Sequence, residues 1–213
     1  GMGGQRAGDV ASEMTVSILK EAWEKTDLDE APASIESFLQ DQIQIANREL
    51  HRHSQTHEEC EGMGTTIVAV LCTERSATIV NVGDSRCYLF NEDGFKQVTE
   101  DHSLVNELVR SGQISKEDAE HHPRKNVILR ALGTEATVEV DVRTIVFEEG
   151  DLLLLCSDGL SDKLSEAEIR DILMSGQSLD EMADTFIQRA NDNGGEDNIT
   201  LAILLHNFES ERG

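Results

Sequence analysis

Leu152-Leu153-Leu154-Leu155-Cys156-Ser157-Asp158-Gly159-Leu160 is the stretch on which the fold turns. An apolar run of this length with these flanks is a buried strand. It delivers Asp158 to the strand end just where Gly159 lets the chain turn sharply. A carboxylate in that position is held rigidly, which suits a metal ligand. An aspartate that only caps the following turn fits the same residues equally well.

Three further segments combine a strand with acidic residues at its end. Gly194-Gly195-Glu196-Asp197-Asn198-Ile199-Thr200 leads into the last apolar strand. A helix pair separates Asp158 from Asp197, and such a connection can bring two adjacent strand ends together. Two aspartates meeting in a cleft repel each other and call for a cation. Oxygen-only ligands favour magnesium or manganese over zinc. In Asn81-Val82-Gly83-Asp84-Ser85-Arg86 the arginine suits a phosphate, but an ion pair that braces the turn is the preferred reading for Asp84 and Arg86. Thr99-Glu100-Asp101-His102-Ser103 ends one strand and starts a helix, where Asp101 or Ser103 reads most simply as an N-cap.

Outward from these segments the chain alternates clearly. Ala7 to Lys25 carries Ala11, Met14, Ile18, Leu19 and Ala22 at helical spacing, and Pro32 opens a second helix through Ile35, Phe38, Leu39, Ile45 and Leu50. The polar stretch from His51 to Gly62 reads as a loop. Thr65 to Cys72 and Ala77 to Val82 predict a hairpin, and Asn91-Glu92-Asp93-Gly94 predicts a second between Cys87–Phe90 and Phe95–Thr99. Residues 103–132 break into short helical pieces and read as an insertion over the sheet. Val138 to Phe147 and Asp151 to Cys156 predict a further strand pair turning at Glu149-Gly150. Helices over Ser165–Met174 and Ser178–Asn193 and a last strand over Ile199–Leu205 complete an α+β sandwich, read as one domain over residues 1–213.

Composition narrows the partners. Against 18 basic residues stand 42 acidic ones, a net charge of −24, which repels nucleic acid and anionic lipid. No apolar run approaches the ~20 residues of a membrane span, and no signal peptide is visible, so the expected compartment is the cytoplasm. Cys60, Cys72, Cys87 and Cys156 show no CxxC pairing and read as buried free thiols. His51, His53, His57 and Cys60 lack the spacing of a zinc site and read as a solvated helix end, and His121-His122 likewise.

Taken in order, Gly62-Met63-Gly64-Thr65-Thr66, Val82-Gly83-Asp84-Ser85-Arg86, Thr99-Glu100-Asp101-His102-Ser103, Asn126-Val127-Ile128-Leu129-Arg130-Ala131-Leu132-Gly133, Ser157-Asp158-Gly159-Leu160 and Gly195-Glu196-Asp197-Asn198-Ile199-Thr200 resemble the motifs of the metal-dependent, type 2C protein phosphatases. Gly1-Met2-Gly3-Gly4 with Ala7-Gly8 resembles that family's N-terminal glycine motif. The likeness spans essentially the whole chain and is nearest to small bacterial enzymes that oppose serine/threonine kinases. It implies two antiparallel sheets packed face to face with helices outside both. It also implies two Mn2+ or Mg2+ ions, a weaker third, and hydrolysis of phosphoserine and phosphothreonine by metal-activated water with no side-chain nucleophile. Asp158 and Asp197 map onto ligands of the first metal, the Gly1 carbonyl onto the second, and Asp101 with Asp158 onto the third. Residues 103–132 map onto a variable flap that selects phosphoprotein substrates. The implied partners are phosphorylated proteins and a cognate kinase, in signal transduction.

The resemblance also sets a departure. The family's metal-bridging aspartate precedes the glycine motif, and a phosphate-gripping arginine and an early strand pair lie upstream of it, whereas this sequence opens on Gly1. The expectation is therefore a fold lacking the family's first strands and a weakened second metal site. Met2 stands where many eukaryotic relatives carry a histidine proton donor. A catalytically impaired fragment or a phosphoprotein-binding module is the alternative from another class. A partner-switching phosphatase with a sensor domain is a second, for which 213 residues leave no room.

Overall fold

A computed structural model describes residues 1–2 and 5–207. Two long helices come first, α1 (Gln5–Glu24) and α2 (Pro32–Thr56), with Pro32 in the first turn of α2 where its missing N–H costs nothing. A hairpin follows, β1 (Ile67–Cys72) with β2 (Ser76–Val82), then a second, β3 (Arg86–Asn91) with β4 (Gly94–Gln97). Two short helices, α3 (Leu104–Arg110) and α4 (Lys116–Glu120), precede β5 (Asp141–Val146) and β6 (Leu152–Cys156). The one-turn α5 (Asp158–Ser161), α6 (Glu166–Leu173), α7 (Leu179–Asp192) and β7 (Leu201–Leu205) complete the order. The helices α6 and α7 each begin with a reciprocal capping box, Ser165 with Glu168 and Ser178 with Glu181.

The strands form two antiparallel sheets, in the orders β1-β2-β5 and β4-β3-β6-β7. Three apolar layers bind them. Ala11, Ile35, Leu39 and Ile43 pack on Val80 and Val82, so α1 and α2 cover the first sheet. Ala77 and Ile79 meet Cys87, Leu89, Leu153 and Leu155 between the sheets. Leu154 and Cys156 face Ile169, Leu173, Met182 and Phe186, which puts α6 and α7 over the second sheet. The unbroken Leu152–Cys156 run is thereby explained, because alternate residues of β6 enter two different cores. Leu154 and Phe186 are wholly buried, and each burial of this kind contributes about 1.5–3 kcal/mol.

Three expectations are corrected. β5 and β6 do not pair: β5 lies against β2, while β6 has β3 on one side and β7 on the other. The turn between them carries the chain from one sheet to the other, closed by Asp151 N–H on Glu148 O (3.0 Å) and Glu148 N–H on Asp151 Oδ2 (3.0 Å). The polar stretch after Leu50 is helical through Thr56, with a 3-10 turn at Glu58–Cys60. Its inward face is polar because it meets backbone: His51 Nδ1 lies 3.2 Å from Gly133 O, and Ser54 is buried. Cys72, at the end of an edge strand, is exposed, whereas Cys60, Cys87 and Cys156 are buried as free thiols.

Asn47 shows how α2 fixes the chain after α4. It is fully buried, accepts from Gly133 N–H (2.8 Å) and donates to Glu135 O (3.1 Å). Asn47→Ala strands both backbone groups and is expected to cost about 2 kcal/mol. Thermal unfolding should then fall by roughly 4–8 °C.

Candidate metal centre

The carboxylates of interest gather at strand ends of the two sheets. Asp158 follows β6 and opens α5, with its Oδ1 accepting from Gly159 N–H (2.9 Å). The loop that carries Asp197 is sewn to the same strand end by one serine. Ser157 Oγ donates to Asn198 O (3.1 Å) and accepts from Thr200 N–H (3.1 Å), while Ser157 N–H donates to Thr200 O (3.0 Å). Asp197 Oδ1 takes Asn198 N–H at 2.7 Å. Gly159 makes this approach possible through lack of bulk: a Cβ there would stand 2.3 Å from Asn198 O. Its role is close contact rather than the sharp turn expected from the sequence, for it lies inside α5.

Gly1 lies within electrostatic reach of Asp158. Its backbone presses on Gly8, where a Cβ on Gly1 would meet Gly8 O at 2.1 Å, and Met2 pairs with Gly64 through N–H to O bonds of 2.7 and 3.3 Å. Gly3 and Gly4 of the same motif lie outside the described residues.

The electrostatics show which groups face one another. Asp158 is half-buried, and burial pushes its carboxyl up, followed by the charges of Asp197 and Asp162. The Gly159 N–H and the ammonium of Gly1 pull it back. Asp84 is pushed from the ordinary 3.8 to about 6, first by burial and then by Asp158, with Asp101 and Asp162 adding to it. Asp84 sits on a turn that requires glycine. Gly83 has φ of 114°, and a Cβ there would lie 2.4 Å from Thr66 Cγ2. Among the described residues, no three His, Cys, Asp or Glu side chains close on a common point; the acids adjoin in pairs instead.

Asp101 is engaged differently. Arg86 grips it with Nε at 3.0 Å from both oxygens and Nη2 at 2.6 Å from Oδ2, and Gln97 Nε2 donates to its Oδ1 at 2.9 Å. Arg86 does brace this region, but against Asp101 rather than Asp84. Ser103 is the N-cap of α3, accepting from Asn106 N–H at 3.3 Å. Sequence reasoning missed Asp84 and Asp162 as members of the acid group. Asp162 was readable from its place one helical turn after Asp158. Asp84 was not, since its neighbour Arg86 offered a local partner.

Two antiparallel sheets, helices outside both and carboxylates gathered at strand ends are the architecture of a metal-dependent phosphatase. The chain belongs to the protein phosphatase 2C family, whose model matches residues 1–203, and is a protein phosphatase. It is 52% identical over 208 residues to the serine/threonine phosphatase stp of Listeria innocua, covering 98% of this chain and 82% of that one. Against the protein phosphatase PhpP of Streptococcus pneumoniae the identity is 42% over 209 residues, 98% of this chain and 84% of that one. The solved structure of the serine/threonine phosphatase Stp1 from Staphylococcus aureus superposes with a TM-score of 0.90 at 40% identity, over 96% of this chain and 80% of that one. The catalytic domain of the phosphatase PstP, solved in complex with two manganese ions, gives 0.83 at 33% identity, over 95% and 83%.

Proposed function

We propose that this chain hydrolyses phosphoserine and phosphothreonine in proteins, using Mn2+ or Mg2+ held by Asp158, Asp197 and the Gly1 carbonyl. A third cation is held more weakly by Asp158 with Asp84. Asp84 takes the place expected for Asp101, whose oxygens Arg86 and Gln97 already occupy. The observation that carries the reading is the pairwise repulsion of Asp158 with Asp84, Asp162 and Asp197 at neighbouring strand ends. An all-oxygen group of this kind suits hard divalent cations. The two manganese ions of the PstP relative support it. Cations bound there supply acidified water and neutralise charge on the phosphoryl group. They also reverse, locally, the field of a chain at −24.

The protein residues have defined tasks in this reading. Ser157 and Gly159 hold the Asp158 and Asp197 loops together, Met2 and Gly64 hold the Gly1 peptide, and Gly83 with Thr66 sets Asp84. Residues 103–132 act as a flap over phosphoprotein substrates, and a serine/threonine kinase supplies those substrates. No helix among the described residues is long and apolar enough to cross a membrane. We place the enzyme in the cytoplasm.

The test is phosphate release from phosphoserine and phosphothreonine peptides with Mn2+ and after chelation. Mn2+-dependent turnover supports the reading. Peptide binding without turnover favours a phosphoprotein-binding module instead.

The acid cluster also predicts how stability depends on pH. Because folding raises the Asp84 and Asp158 values, the folded chain holds those protons more tightly than the unfolded one. Their contribution is greatest below about pH 4 and is lost as pH rises through about 6. The metal-free protein should therefore lose stability from this cluster between about pH 4 and 7. Mn2+ at about 100 times its dissociation constant should raise the melting temperature by roughly 5–10 °C near neutrality. The gain should shrink towards pH 5, where protons compete.

A further inference from the structure

We infer that His102 is a positioning residue that ties the segment 104–129 to the Asp84 turn, an inference that rests on Asp84 belonging to the metal centre. His102 is 8% exposed, and the residue and the turn grip each other twice. Gly83 N–H donates to His102 Nδ1 at 3.0 Å, and His102 N–H donates to Gly83 O at 2.9 Å. A ring nitrogen that accepts from a backbone N–H carries no proton, so the ring proton is on Nε2.

That proton points to a second anchor. Nε2 lies 3.2 Å from Asp141 Oδ2, on the first residue of β5. Arg130 meets the same carboxylate, with Nη1 at 3.2 Å from Oδ1, while its Nη2 pairs with Glu139 at 2.7 Å. The 3.3 Å approach of Arg130 to Nε2 is thus a contact between two donors that share Asp141. Both ends of the segment close on this stem. Leu129 N–H donates to His102 O (2.7 Å), Leu104 N–H to Val127 O (2.9 Å), and Ser103 bridges Ile128.

Gly83 packs closely on Thr66, so the turn has little room to absorb a shift. A displacement of the segment therefore reaches the Asp84 turn through the imidazole and the His102 backbone together. The ring is not a proton donor to substrate, since it is buried and its Nε2 faces Asp141.

Three variants separate the two halves of the link: His102→Ala, His102→Asn and Asp141→Ala. Free Mn2+ is read by electron paramagnetic resonance, and the segment by hydrogen exchange across residues 104–129. Asparagine keeps an acceptor near the Nδ1 position but does not reach Asp141. His102→Ala should weaken the weakest-bound Mn2+ by roughly 10-fold or more and speed exchange in the segment. His102→Asn should restore Mn2+ binding without restoring protection. Asp141→Ala should speed exchange while leaving Mn2+ binding as in the wild type. It also keeps the link testable if both His102 variants fail to fold. A wild type that takes up no Mn2+ overturns the metal reading and this inference with it. Equal Mn2+ binding by wild type and His102→Ala, no rescue by asparagine, or an unchanged segment in Asp141→Ala overturns the inference alone.

Discussion

Asp158→Asn is expected to lower Mn2+-dependent phosphate release by at least about 100-fold, beyond the loss typical of residues that only support a metal ligand. The amide keeps the size of the side chain and an oxygen for Gly159 N–H. What it removes is the charge that Asp84, Asp162 and Asp197 all face. The metal-free variant should therefore melt higher than the wild type, because a repulsive neighbour is gone. Its gain on adding Mn2+ should all but vanish. This pair of opposite changes distinguishes a lost ligand from a damaged fold, which would lower both melting curves. A variant that keeps a tenth of wild-type turnover would show that Asp158 does not hold the cations.

Gly159→Ala has the second-largest expected effect, although it changes one methyl group. The new Cβ would stand 2.3 Å from Asn198 O and 2.9 Å from its carbonyl carbon, so backbone must move. The strand end beneath cannot yield: Leu160 and Cys156 are buried in the layer under α6 and α7. The loop that carries Asp197 is displaced instead, and with it the three hydrogen bonds to Ser157. Overpacking of this kind costs about 1–3 kcal/mol. A shift of about 1 Å in a catalytic group costs on the order of 100-fold in rate. Calorimetric Mn2+ titration and melting curves read both effects. Mn2+ bound as tightly as by the wild type would refute the clash.

The sequence made some of this legible and hid the rest for physical reasons. The helices were readable because Ser165 with Glu168 and Ser178 with Glu181 are local signals, as is Pro32. The strand Leu152–Cys156 was readable as buried, but not its partners. Residues at Glu149-Gly150 look the same whether the turn joins neighbours or passes between sheets. The helical end of α2 was hidden because its apolar periodicity stops at Leu50: His51 turns to Gly133 O and Ser54 is buried, while Arg52, Gln55 and Thr56 are exposed. The place of Asp158 and Asp197 near strand ends was readable in the sequence. That Arg86 pairs with Asp101 and leaves Asp84 among the other acids was not, since it depends on which carboxylate Arg86 reaches across the sheet. Spacing along the chain cannot report that reach.

The passage of the chain from one sheet to the other after β5 has a kinetic consequence. Asp84 leaves the first hairpin, whereas Asp158 and Asp197 flank strands formed much later in the chain. In the proposed assignment the acids meet only after both halves have docked, so partly assembled chains would hold no cation site. Divalent ions then act late on the folding route: they have little to accelerate on the way in, and they slow the escape of the finished molecule. The ions that the enzyme would use for chemistry thereby also serve as a latch on a topology of long-range pairings, which forms slowly by its nature.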